Sequence, residues 1–249
     1  MKLAHFKWSS PIRFEEGMIE TLVIENPKEL RDTVIAFSEQ VKGISHGYVL
    51  SEKDEPVEFG RNTLVISDLL GVALDSRSVM TKIHQVIQEE SLLFQEKVER
   101  LVAEINQLAG DLTMRLVFDA RFTEINDLSG VLKLLNFSVD HESMSPAERL
   151  FTYLLFYNRY FGRKLFILLH FKALFTLKEQ KELLEFAKYH KLHILLLESQ
   201  ARDRIDKDER IRIIDKDLCE IDCTQQKCYY ENIIYAALCH LNCRRFVVR

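Results

Sequence analysis

A chain of 249 residues with 47% hydrophobic and 29% charged side chains can bury a real core, as one large domain or two small ones. Its net charge of −4 excludes the overall basic balance usual in nucleic-acid binders, so any DNA site has to be a local patch. No apolar run is long enough to span a bilayer and residues 1–6 lack the apolar core of a signal peptide, so a cytoplasmic protein is expected.

Residues 3–8, 11–14 and 19–25 alternate or run apolar in short pieces broken by Ser9-Ser10 and Glu16-Gly17, which predicts two antiparallel strands feeding a third. The third, Thr21-Leu22-Val23-Ile24, runs into Asn26-Pro27. A helix opens at once, with Leu30, Val34, Phe37 and Val41 on one face. Nucleotide-binding folds keep their phosphate loop at this first strand-to-helix turn. The G-x-x-x-x-G-K-[ST] pattern that supplies the backbone N–H groups and the lysine is absent here. Residues 49–59 read as polar and irregular, and residues 63–68 as a buried strand closed by Leu69-Leu70-Gly71.

From Ser76 the character changes. Ile83, Val86, Ile87, Phe94, Val98, Leu101, Val102, Ile105 and Leu108 recur at intervals of three and four without Gly or Pro, which predicts one long amphipathic helix. Residues 127–135 predict a further short helix. The expected organisation is an α/β head formed by residues 1–75 and 141–222, a helical leg inserted at 76–140, and a Cys-rich extension at 223–249. The acidic face from Glu89-Glu90 to Glu104 reads as solvated surface. After Pro146 the pattern returns to α/β: an aromatic-rich helix at 147–161, a buried strand at 165–169, a helix at 177–189 and a buried strand at 193–197. Strand, helix and strand at this spacing form a βαβ unit and hence a parallel sheet.

The run from Phe166 to Phe171, the following helix and the run from His193 to Glu198 have the layout of the last half of an ABC or SMC ATPase. In those enzymes the first of the two strands ends in acids that hold Mg²⁺ and position water. Here His170 and Phe171 stand at that strand end, so a degenerate ABC/SMC-ATPase-like α/β head is expected, without nucleotide hydrolysis. His170 reads as a structural residue rather than a ligand or base. The other histidines show no H-E-x-x-H spacing and there is no G-x-S-x-G elbow, so no enzyme is expected. All five cysteines fall between Cys219 and Cys243. Cys223, Cys228, Cys239 and Cys243 with His240 supply zinc-type ligands, but their spacing matches no named finger, and residues 229–241 read as helix. An appended helix ending in Arg244-Arg245 and Arg249 is the simpler reading.

Six segments carry a family likeness in order and spacing: Leu22-Val23-Ile24-Glu25-Asn26-Pro27-Lys28, Leu64-Val65-Ile66-Ser67-Asp68-Leu69-Leu70-Gly71, Val131-Leu132-Lys133-Leu134-Leu135, Leu177-Lys178-Glu179, Leu195-Leu196-Leu197-Glu198 and Ile214-Asp215-Lys216-Asp217. The chain resembles, over residues 3–222, the small Csn-type accessory proteins of type II-A CRISPR adaptation operons. The resemblance implies a ring-shaped homotetramer that binds the ends of double-stranded DNA through its central hole and needs calcium to hold the ring's shape. It also implies a place in spacer acquisition beside the CRISPR integrase subunits and the RNA-guided effector nuclease, with no catalysis of its own. Lys28 and Lys133 fall on the family's recurring positions and are expected to contact phosphates; the plain alternatives are a helix-surface lysine and a snorkelling one. The family's acidic segment matches residues 118–128, where Asp119, Glu124 and Asp127 are the expected calcium ligands, although Arg121 thins the acid there and Asp127 also suits a helix cap. Two readings from other classes remain: a nucleotide-dependent switch of the ABC/SMC head type, and an interaction scaffold that recruits partners along the long helix.

Overall fold

The computed structural model describes residues 1–127, 135, 137–140 and 143–223. The chain divides into two compact units, one made of Met1–Val72 with the chain from Ser145 onward, the other of Ala73–Met144.

The first unit is the expected α/β body. Its frame is a six-stranded sheet of β3 (Ile19–Ile24), β6 (Thr63–Ile66), β7 (Leu165–Leu169), β8 (His193–Glu198), β9 (Glu209–Ile214) and β10 (Glu220–Cys223). The strand order is β10-β9-β3-β8-β7-β6. All neighbours are parallel except β10, which pairs antiparallel with β9. Apolar side chains alternate between two cores, as a pleated strand buried on both faces requires. On one face Phe166 and Leu168 of β7 and Ile194 and Leu196 of β8 meet helices α5 (Pro146–Phe161) and α7 (Leu177–His190) through Leu150, Leu154, Leu183 and Leu184. On the other, Leu165, Ile167, Leu169, Leu195 and Leu197 meet Phe37 of α1 (Pro27–Val41) and Phe59 of α2 (Phe59–Asn62). Both α5 and α7 open with full capping boxes, Ser145 with Glu148 and Thr176 with Glu179, and α5 closes on Gly162 in the left-handed region at φ 67°.

Two local expectations are corrected. Residues 49–59 are not irregular: β4 (Tyr48–Glu52) and β5 (Glu55–Val57) form a hairpin. Its two-residue turn places Lys53 and Asp54 at φ 52° and 66°, a turn ordinarily signalled by Asn-Gly. The four charges from Glu52 to Glu55 mask the alternation of buried Tyr48 and Leu50 with exposed Val49. The second correction concerns the chain's opening strands. β1 (Lys2–His5) and β2 (Ile12–Arg13) are antiparallel, but they do not lead into the sheet of β3. With β4 and β5 they make a separate sheet of order β2-β1-β4-β5, which packs Leu3, Ile12, Tyr48 and Leu50 into the core beneath α1.

The second unit carries the helical pattern, in two pieces rather than one. Helix α3 (Arg77–Ser91) ends in a 3₁₀ turn, Leu92–Phe94, and α4 (Gln95–Thr113) follows. No Gly or Pro causes the break; Phe94 at φ −116° and ψ 28° leaves the helical region. No side chain of α4 is buried, and Leu92, Leu93 and Phe94 are exposed. The helix expected at 127–135 lies almost wholly outside the described residues. Among these no helix is long and apolar enough to cross a membrane.

Phe37 is fully buried, 4.3 Å from the Tyr48 ring and 6.0 Å from Phe59. Phe37→Ala is expected to destabilise the first unit by about 3–5 kcal/mol, read as a fall in the urea midpoint without a change of slope.

Candidate functional site

In an open parallel sheet the ligand crevice forms at the carboxyl ends of the strands, where the connections leave in opposite directions. β3 is that strand here. The chain leaves it through α1 and the small sheet for β6 at the far edge, returns through β7 and β8, and crosses to β9 on the other side. The switch point is therefore the segment from Glu25 to Glu29.

Asn26 fills it. Its Oδ1 accepts from the backbone N–H groups of Lys28 at 3.0 Å and Glu29 at 3.2 Å, and its Nδ2 donates to the Lys216 carbonyl at 2.9 Å. Pro27 has no N–H, and Leu30 already donates to the Asn26 carbonyl at 2.9 Å. The first four positions of α1 thus offer no unspent donor to a phosphate, the opposite of a helix N-terminus built to cradle one. The turn that receives Asn26 is itself closed: Asp215 Oδ1 accepts from the N–H groups of Asp217 and Cys219 at 2.9 and 2.8 Å.

His170 and Phe171 follow β7 as expected. His170 is half-buried with its backbone in the left-handed region at φ 58°, and it opens the short helix α6 (Phe171–Leu174). The next residue carries a role that the sequence reading left unassigned. Lys172 is buried, and its ammonium meets Glu209 at 2.9 and 3.3 Å. Glu209 also accepts from Thr21 Oγ1 at 2.5 Å and from the Ile205 N–H at 2.6 Å. Glu198, ending β8, accepts from the Lys172 N–H at 2.8 Å. These bonds tie the ends of β7 and β8 to β3 and β9. The visible signal was a charge inside each apolar run, Phe171-Lys172-Ala173-Leu174-Phe175 and Leu195-Leu196-Leu197-Glu198, since ionised groups among apolar neighbours persist only when paired. With Lys172 and Glu209 both inaccessible, the cluster has no route to a ligand and serves as an internal clamp.

Of the predicted contacts, Lys28 lies on the exposed first turn of α1, at the switch point. Around it Lys7 is bound to Glu29 at 2.8 Å and Arg31 to Asp32 at 3.7 Å. Neither Lys28 nor the exposed Lys216 has an ion-pair partner among the described residues. Lys133 lies outside the described residues, as do Cys228, Cys239, Cys243 and His240. Asp119, Glu124 and Asp127 are all exposed, on an irregular stretch tied to α4 by Asn106, which exchanges bonds of 2.9 and 3.0 Å with the backbone of Ile125. They are not brought together. Among the described residues no group of three or more His, Cys, Asp or Glu side chains is placed to hold a metal ion, so this triad does not fit a calcium site within one chain.

Removing one partner of the clamp leaves a buried charge uncompensated. Lys172→Met is expected to cost about 3–5 kcal/mol in urea unfolding, with Lys172→Met/Glu209→Leu recovering much of it. Burial raises the Glu198 carboxyl to about 7 against an ordinary 4.5, with the Lys172 N–H opposing. The folded state therefore holds a proton that the unfolded chain releases near 4.5. This contribution is complete below that pH and is lost as pH rises through about 7. Glu198→Gln keeps the acceptor without the charge, so the variant should gain on wild type in urea midpoint between pH 5 and pH 8. Glu20, raised to about 7 by burial against the pull of Arg210, leaves part of the slope in place.

With this geometry in view, comparison with known proteins is direct. No curated protein matches the chain. Among solved structures it is similar to an inward-facing ABC transporter of metal-chelate type, at 13% identity and TM-score 0.46 over 96% of this chain and 88% of that one. It is also similar to the ADP conformation of an ATP-binding cassette of an ABC transporter, at 8% identity and TM-score 0.42 over 86% and 84%. The family model described as CRISPR-associated protein (Cas_Csn2) matches residues 40–218, well over half the chain, from the end of α1 to just beyond β9. The chain belongs to the Cas_Csn2 family of CRISPR-associated proteins.

Proposed function

We propose that this protein is a non-enzymatic, ring-forming binder of double-stranded DNA ends that acts in CRISPR spacer acquisition. Membership of the Cas_Csn2 family carries the reading and supports a role in CRISPR adaptation. The chemistry of the switch point agrees with it. The α1 N-terminus has spent its donors on Asn26, which removes the phosphate cradle a nucleotide would need, while the Lys28 ammonium stands outside with no ion-pair partner among the described residues. An exposed ammonium on a flexible stem suits a passing phosphate backbone, which demands charge but no fixed pocket.

In this reading a homotetramer encloses the duplex and collects cationic side chains from several copies, so a net charge of −4 per chain is no obstacle. Calcium belongs to the same proposal only with acids drawn from beyond the dispersed set Asp119, Glu124 and Asp127. The ring works beside the integrase subunits and the RNA-guided effector nuclease.

Gel shifts of one DNA, as linear duplex and as closed circle, with calcium and then with chelator and at two salt concentrations, test the reading. Retention of the linear form alone, lost in chelator and weakened by salt, is the expected result. Equal retention of circle and line would rule out threading. Lys28→Ala should weaken linear-duplex binding and lower the slope of log K against log[salt] by about one per lysine lost at each phosphate.

A further inference from the structure

The turn between β1 and β2 is bound through Lys7 to Glu29 of α1, the residue after Lys28, and carries an aromatic side chain where turns ordinarily carry Gly, Pro, Asn, Asp or Ser. The Trp8 N–H donates to the His5 carbonyl at 3.0 Å, which makes Phe6 and Lys7 the two central residues of a β-turn. Phe6 is 83% exposed, although the chain buries fifteen apolar side chains in the core directly beneath.

The turn is anchored on both flanks. Lys7 Nζ holds both carboxylate oxygens of Glu29, at 2.8 and 2.9 Å, in the first turn of α1 and next to Lys28. The Ser9 N–H donates to Glu220 at 2.7 Å, and Arg212 donates to the Ser10 carbonyl at 2.6 Å and hydroxyl at 3.0 Å, which fastens the far side to β9 and β10. Behind Phe6 the rings form a column. His5 lies 4.4 Å from the Phe6 ring and stacks on Tyr48 at 4.4 Å and 24°, Tyr48 lies 4.3 Å from buried Phe37, and Trp8 closes the side at 5.7 Å from His5 and 5.4 Å from Tyr48. Burial and the neighbouring Lys7 hold the His5 imidazole below its ordinary value, against the pull of Glu29.

The charges around the turn are largely spent. Glu29 is bound to Lys7, Asp32 to Arg31 and Asp215 to two N–H groups, and neither Lys28 nor Lys216 has an ion-pair partner among the described residues. A rigidly backed, solvent-facing aromatic ring on a turn bound to the helix start that carries Lys28 matches one ligand chemistry above others, a nucleobase face next to a phosphate. Inside a duplex every base face is covered by its neighbours. Only the last pair presents a bare face.

We infer that the Phe6 turn is a stacking platform for the terminal base pair of a duplex whose adjoining phosphate lies on Lys28. This rests on the DNA-end reading above and adds to it: the end is recognised by its uncovered base face, through a surface of a single chain, in addition to any exclusion of closed DNA by a ring.

The test uses the full-length protein and a linear blunt duplex carrying 2-aminopurine either at the terminal pair or in the interior. Wild type should change the emission of the terminal probe and leave the interior one unchanged. It should also shift the emission of Trp8, the chain's one tryptophan. Phe6→Ala, at a position too exposed to endanger folding, should abolish the terminal-probe response and weaken linear-duplex binding about 5- to 150-fold, the range expected for one lost base stack. Phe6→Tyr should retain both. Wild-type affinity and probe response in Phe6→Ala, alongside weakened binding by Lys28→Ala, would overturn the platform while leaving DNA binding intact. Absence of binding by wild type to linear and closed DNA alike would instead overturn the reading on which it rests.

Discussion

Burial of the six-stranded sheet on both faces leaves β3, β7 and β8 almost nowhere for water to reach, so a polar group placed there has to find its partner inside. Much else follows from that constraint. Leu, Ile and Val alternate into two separate cores, and the helices and the small sheet are the two covers that those cores require. Among the exceptions, Thr21, Glu198 and Glu209 are tied to one another through Lys172, and Glu20 meets Arg210. A charged pair in this setting contributes little net stability, but it specifies which strand ends meet, since any other pairing would strand a charge.

The same economy decides the switch point. One carboxamide satisfies two donors of α1 and reaches across to the turn after β9, so the crevice that the topology opens is closed by the chain itself. Asn in this role differs from a glycine-rich loop in more than composition. It brings the acceptor with it, so the helix start is complete without a ligand.

How much of this was legible in the sequence varies with the kind of signal. The strands at 19–24, 165–169 and 193–198 and the helices at 27–41, 146–161 and 177–190 announce themselves, because each combines strong periodicity with a cap or breaker: Asn26-Pro27, Ser145-Pro146, Gly162 and Thr176. The β4–β5 hairpin does not, because its turn is Lys-Asp and its edges are charged. The break at Leu92–Phe94 is equally silent, since an apolar stripe continues through it. At the site, Lys28 was visible as a motif position and proves to be exposed at the switch point. Lys172 showed only as a charge inside an apolar run; its partner was not visible, because nothing in the run points to a glutamate nearly forty residues away. Dispersion of Asp119, Glu124 and Asp127 was hidden for a related reason: spacing along an irregular segment says nothing about convergence in space.

The strand order also governs how the protein is made. β3 is complete within the first twenty-four residues, yet both of its neighbours come from the far end of the described chain, with Ile19 aligned to Ile194 and to Glu209. At ordinary synthesis rates of 5–20 residues per second, roughly ten to forty seconds separate the emergence of Ile19 from that of its first partner. During that interval the small sheet of β1, β2, β4 and β5 can close by itself, but β3 waits as an apolar ribbon with both edges bare. The nascent chain therefore carries that ribbon unpaired until β8 emerges, and a translational pause before β8 would lengthen its exposure.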